Sequence, residues 1–180
     1  MSAAMGAGAS PSKASNRPFV FLVVRFLGYL FAASLAFSLG QAHQHLEPLQ
    51  RMIASAAAFG ARLLGSTATA DGSFISIDDY PAIFINHECT GIFVLVIYVA
   101  FLLAYPAGWM QRLAGIVLGI VVLEVVNVLR LALLTVIAAR WPSLFDYFHE
   151  YIWQGVFVAM LALMVAVWID TVTRKTLVLR

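Results

Sequence analysis

Four runs of this chain, Phe19 to Leu39, Gly91 to Tyr105, Leu113 to Ala139 and Ile152 to Ile169, are almost wholly apolar. In lipid every backbone N–H and C=O must be satisfied internally, which leaves the helix as the way for such a run to fold. A spanning helix takes about 20 residues to cross a ~30 Å hydrocarbon core. The whole chain is 62% hydrophobic and 11% charged, with a mean hydropathy of +0.91. Soluble domains hold about 45–50% apolar and about 25% charged residues. These runs predict an all-α integral membrane protein with four transmembrane helices, and 180 residues suffice for one bundle. A net charge of +2 implies no nucleic-acid partner; the partner implied by composition is the lipid itself. The single cysteine excludes an intramolecular disulfide and any CxxC metal site, and no cofactor or metal is expected.

The segments between the runs divide the chain further. Residues 1–18, small, polar and carrying Lys13 and Arg17, read as a disordered cytoplasmic tail. Residues 19–40 read as the first transmembrane helix. A cleavable signal peptide ending at Gly40-Gln41-Ala42 is the alternative, disfavoured because signal h-regions span about 7–15 residues. Residues 41–88 form an external segment. Within it, 46–64 places Leu46, Leu49, Met52, Ile53, Ala56, Ala57, Phe59, Leu63 and Leu64 largely on one helical face, with Gln50, Arg51, Ser55 and Arg62 between them. That pattern suits an amphipathic helix on the outer membrane surface better than a fifth span. Residues 66–72 read as a loop. Ser73 to Ile77 alternates with period two, Asp78-Asp79-Tyr80-Pro81 is turn-like, and a short hairpin or extended lead-in follows to Ile85. Residues 89–172 hold the other three spans, and 173–180 a cytoplasmic tail.

Lys and Arg favour cytoplasmic flanks. With the N-terminus inside and four spans, Lys13, Arg17, Arg112, Arg174, Lys175 and Arg180 fall inside, and only Arg51, Arg62 and Arg140 outside. The acids Glu47, Asp71, Asp78, Asp79, Glu88, Asp146 and Glu150 fall outside. At ~1.5 Å per helical residue, Cys89, Arg130 and His149 lie ~24, ~26 and at most ~32 Å above the inner ends of their spans. Three residues far apart in sequence therefore reach one layer near the outer boundary.

Cys89, read at the first turn of a helix where free N–H groups and the dipole favour thiolate, is a candidate nucleophile; Asn86 can cap that turn. A buried structural cysteine is the alternative, and Glu88 opposes a thiolate. Arg130 is costly inside a span unless it snorkels. Glu124, Asn127 and Arg130 are three apart, so they share a ~120° sector, a polar stripe suited to a bundle interior. His149 also fits an aromatic belt with Tyr147, Tyr151 and Trp153, and His87, two residues from Cys89, competes as the base. Together a thiolate, an imidazole that moves protons and a guanidinium that stabilises an oxyanion make an acyl-transfer set. Thr90 and the amides near Gly91 are further donors. Two other readings stand beside it. One is a non-enzymatic assembly or partner protein with Arg130 and Glu124 as interhelical contacts. The other is a haem or metal carrier using His43, His45, His87 and His149, which lacks a mid-helix pair on facing spans.

Cys89-Thr90-Gly91-Ile92, Asn127-Val128-Leu129-Arg130 and His149 before the last helix resemble the exosortase/archaeosortase family of membrane cysteine transpeptidases, which carry Cys-[Ser/Thr]-Gly, Asn-x-x-Arg and a late His in this order. The extended lead-in at 73–85 is also similar. The resemblance covers about residues 70–170, and the chain is similar to the short type-H exosortases. It implies cleavage of exported proteins at a C-terminal sorting signal, made of a short motif, a transmembrane helix and a basic tail. Cys89 would attack at the outer face of the plasma (inner) membrane and form a thioester, with His149 as acid and base and Arg130 stabilising developing charge. An acceptor nucleophile absent from this sequence would release the product.

Overall fold

The computed structural model describes residues 17–39, 46–77 and 80–178. Lys13, the cleavage site at 40–42, His43, His45, Asp78, Asp79 and Arg180, with the rest of the N-terminal tail, lie outside the described residues. The elements run α1 (Arg17–Leu39), α2 (Glu47–Leu63), β1 (Thr69–Asp71), β2 (Phe74–Ile77), β3 (Tyr80–Phe84), a 3₁₀ turn (His87–Thr90), α3 (Ile92–Ala104), α4 (Trp109–Arg140) and α5 (Trp153–Val178). Short helical turns at Pro142–Leu144, Phe145–Tyr147 and Phe148–Ile152 join α4 to α5.

Among the described residues three helices are long and apolar enough to cross a membrane: Arg17–Ser38, Trp109–Arg140 and Pro142–Arg174. The protein is a mostly helical membrane protein. The fourth expected span, Gly91 to Tyr105, is an apolar helix of 13 residues, ~20 Å long and short of a full hydrocarbon core by itself. Helix boundaries also extend past the expected ones. α1 takes in Arg17 and Pro18, since proline is tolerated in a first helical turn. α5 runs through to Val178, into the expected tail, where Arg174 Nε pairs with Asp170 one turn back at 2.8 Å.

Residues 69–71, expected to be loop, form β1. Asp71-Gly72 starts a tight turn through Ser73, which pairs Thr69, Ala70 and Asp71 with Ser76, Ile75 and Phe74. β2 pairs in turn with β3, giving an antiparallel sheet in the order β1-β2-β3 with a register shift between Ile75 and Ile77. Ile75 and Ile77 face inward, while Phe74 and Phe84 stack on the outer face with ring centroids 5.0 Å apart.

The interior forms two clusters. The first joins the sheet, α2 and the later part of α4, through Ile53, Ala57, Ala61, Ile75, Ile85, Leu131 and Leu134. α2 covers most of the helical stretch read at 46–64; Gln50, Ile53, Ala54, Ala57, Ala58 and Ala61 point inward, while Met52, Phe59 and Leu63 of the apolar face are exposed. Small residues explain the choice. Gly60 lies so near Ala132 that a Cβ there would stand 2.9 Å from the alanine methyl, and between membrane helices such close packing, not hydrophobicity, drives association.

The second cluster joins α3, the early part of α4 and α5, around Tyr98, Leu102, Leu123, Trp168 and Val172. The Tyr98 ring lies across Gly119 and its hydroxyl donates to the Gly115 carbonyl at 3.2 Å. α1 packs on α3, through Phe26–Phe101 and Phe37–Phe93 ring contacts and an Arg25 Nη2 donation to the Leu103 carbonyl at 3.4 Å.

A Cβ on Gly119 would fall 2.0 Å from the Tyr98 ring, whereas at Gly155 it would meet nothing within 4 Å. Gly119→Ala should therefore lower resistance to denaturation by about 1–3 kcal/mol, and Gly155→Ala should not. Unfolding in mixed micelles checks this, and equal effects would contradict the packing described.

Candidate active site

Cys89 packs against the first cluster, in the 3₁₀ turn His87–Thr90 rather than in the first turn of α3. The separation has a backbone cause. Gly91 sits in the left-handed region at φ +72° and ends the turn, so α3 starts only at Ile92. A β-carbon there would be strained by that φ and would stand 3.4 Å from both Cγ and Nδ2 of Asn127. Asn86 caps the turn, its Oδ1 accepting from the Cys89 N–H at 3.0 Å. Thr90 is fully buried and donates to the His87 carbonyl at 2.6 Å, so its hydroxyl serves the turn.

A hydrogen bond ties the turn to α4. Asn127 Nδ2 donates to the carbonyl of Cys89 at 2.8 Å. Asn127 is fully buried, and Glu124, one turn before it, lies in contact with it. Arg130, one turn after it, sets its guanidinium over the ring of Phe157 on α5 at 5.4 Å. The polar stripe expected on this helix thus faces inward along its length.

His149 stands in a π-helical turn, Phe148–Ile152, stacked on Phe145 at 5.6 Å with the rings nearly parallel. Such wide turns add a residue to a helix and recur at functional sites. His87 packs against Phe37 and Phe93 on the opposite side of the turn and lines neither cavity beside the thiol.

Cys89, Arg130 and His149 border one open cavity of about 680 Å³, with Glu88, Trp153 and Phe157 in the same wall. Two donors of that wall, Arg130 Nε and Trp153 Nε1, are buried without a hydrogen-bond partner among the described residues. Trp153 is legible in the sequence only as an aromatic-belt residue, and nothing in its context marks it for a cavity wall shared with the thiol. A smaller cavity of about 190 Å³ lies on the sheet side of Cys89. An apolar cleft of about 340 Å³ between α4 and α5, lined by Tyr98, Leu118 and Trp168, is remote from these groups. Among the described residues no three of His, Cys, Asp and Glu come together as a metal cage.

Burial pushes the Cys89 thiol above its ordinary range. The Arg130 charge and the Asn86 contact pull it down, and Glu88 adds to the rise. The thiol is therefore mostly protonated at neutral pH and needs a base to react, and His149 is the imidazole on its cavity.

A family model described as transmembrane exosortase matches residues 12–168. The chain belongs to the transmembrane exosortase family. No curated protein and no solved structure matches it. The match starts well before the region that the short motifs delimit, so α1 and α2 are part of the exosortase pattern as well.

The electrostatics have a measurable sign. Thiolate is the reactive species, so iodoacetamide labelling of Cys89 should rise with pH to a midpoint above that of a free thiol. Arg130→Gln should raise the midpoint and slow labelling at pH 8; Glu88→Gln should lower it and speed labelling. Each change should be about two- to tenfold, since one pKa unit is tenfold in thiolate. A midpoint unmoved by Arg130→Gln would contradict this electrostatic account.

Proposed function

We propose that this exosortase is a membrane cysteine transpeptidase that cleaves the C-terminal sorting signal of exported proteins, a short motif followed by a transmembrane helix and a basic tail. The observation that carries the reading is the single cavity bordered by Cys89, Arg130 and His149, with buried unpartnered donors in its wall. Family membership supports the reaction class.

In this reading the Cys89 sulfur attacks the scissile carbonyl as its proton passes to His149. The Arg130 guanidinium stabilises the negative charge that develops on the carbonyl oxygen without itself titrating. The C–N bond then breaks, the imidazolium protonates the leaving amine, and the retained part of the substrate stays on Cys89 as a thioester. An acceptor nucleophile attacks the thioester and restores the thiol. Asn127 holds the Cys89 carbonyl and positions the turn. In this reading the chain crosses four times, with the short α3 counted as a span, both termini are cytoplasmic and the cavity opens at the external face of the plasma (inner) membrane. The excess of Lys and Arg in the inner flanks supports that orientation.

One observation favours the rival, a non-enzymatic assembly or partner protein: the Arg130–Phe157 contact bridges α4 and α5. Co-expression with a tagged protein bearing such a C-terminal signal separates the two. Cys89→Ala should leave the tagged protein full-length while the variant remains in the membrane. His149→Ala should slow processing by about 10²–10⁴-fold, and His87→Ala should have much less effect. Normal processing by Cys89→Ala would end the transpeptidase reading.

A further inference from the structure

Two cavities meet at Cys89, and the reaction above uses only the larger. The smaller is walled by Ile83, Ile85, Leu131, Leu134 and Phe145, and it shares Asn86, Cys89 and His149 with its neighbour. Its hydroxyl, Thr135 Oγ1, already donates to the Leu131 carbonyl at 2.8 Å. At about 190 Å³ it falls below the roughly 300 Å³ at which small-molecule pockets begin. It has the size and lining for one apolar side chain.

Its position relates it to an extended peptide. Ile83 and Phe84, the last two residues of β3, and Ile85 just after it all border it. Neighbouring side chains of a strand point to opposite faces, so three in a row bring the strand's backbone into the wall. β3 is at the edge of the sheet, and an edge strand is a template for an added extended chain. The larger cavity leads the other way, past Val94 on α3 and Phe157 and Val158 on α5, away from the sheet.

We propose that the small cavity is a specificity pocket for an apolar side chain on the acyl side of the scissile bond. The substrate lies extended beside the end of β3, and its scissile carbonyl sits between Cys89 and His149. The proposal rests on the transpeptidase reading and names the substrate feature selected at that site. A leaving segment that ends in a transmembrane helix takes the larger cavity, which leaves the sheet side for the acyl residue. Beyond Asn86 and His149 at the end it shares with its neighbour, the lining offers an ionised side chain only the already bonded Thr135 hydroxyl, so the apolar depth of the pocket disfavours it.

Peptide chloromethyl ketones test this on the full chain in micelles. The thiolate displaces chloride from the methylene carbon and forms a thioether, and the residue before the ketone occupies the acyl-side position. Acetyl-Ala-Ala-X chloromethyl ketones with X as Leu, Gly, Phe or Asp would be followed by mass spectrometry of the Cys89 adduct, each rate divided by that of iodoacetamide. The Leu reagent should exceed the Gly and Asp reagents by about tenfold or more. The half-buried Ile83 gives two opposed variants. Ile83→Trp should bring the Leu rate down to that of Gly, and Ile83→Ala should raise the Phe rate relative to Leu.

The same order in all three proteins, or Asp reacting as fast as Leu, would overturn the pocket. A Cys89 inert to every reagent would overturn both the pocket and the catalytic reading. Selective labelling in a chain that leaves a co-expressed substrate unprocessed would overturn the reaction and keep the pocket.

Discussion

The hydrogen bond from Asn127 Nδ2 to the carbonyl of Cys89 joins the only thiol to the longest helix. A neutral hydrogen bond contributes about 0.5–1.5 kcal/mol net, but leaving the buried partner unsatisfied costs about 1–3 kcal/mol. At a fully buried asparagine the second figure governs, so the turn is held in one place. One feature makes the bond possible. Gly91 keeps its left-handed backbone and offers no Cβ to push Asn127 away. The 3.6-residue period of α4 then brings Arg130 onto the same side as Asn127, one turn further on, against the cavity. The Cys-Thr-Gly and Asn-x-x-Arg segments are thus two halves of one contact.

Around that contact the molecule is built on two different kinds of packing. On the sheet side, alanines of α2 close against α4 at near-backbone distance. On the other side, Tyr98 and Trp168 lay large rings over Gly119 and Gly115. Both depend on small residues in one partner, as membrane helices do when shape rather than water drives their association. The cavity lies where the clusters meet, and α5 packs loosely enough there to leave it open.

The residues of the candidate site stand out in the sequence because they are chemically conspicuous in an apolar chain. A lone cysteine, an arginine three residues after an asparagine inside a span, and a late histidine stand out from valine and leucine. Other features left no such mark. The buried face of α2 is its small one, and hydrophobicity ranks Met52, Phe59 and Leu63 above the alanines that pack. The π-helical turn that carries His149 arises from helix registry, which no single residue encodes. Gly91 was legible as part of a motif but not as a stop, so Cys89 was assigned to a helix that begins three residues later. That correction changes the electrostatics: Cys89 lies outside the first turn of α3, and burial dominates its thiol.

A thiol raised by burial reacts only when its proton is removed and its charge is met, so the account stands on a covalent intermediate at Cys89. The direct measurement is acid-quenched single-turnover reaction of the purified chain with a signal-bearing substrate, followed by mass mapping with and without neutral hydroxylamine. The account predicts a substrate adduct on Cys89 that hydroxylamine releases, absent from Cys89→Ala. Processing without a hydroxylamine-sensitive adduct, or with the adduct on another residue, would contradict it.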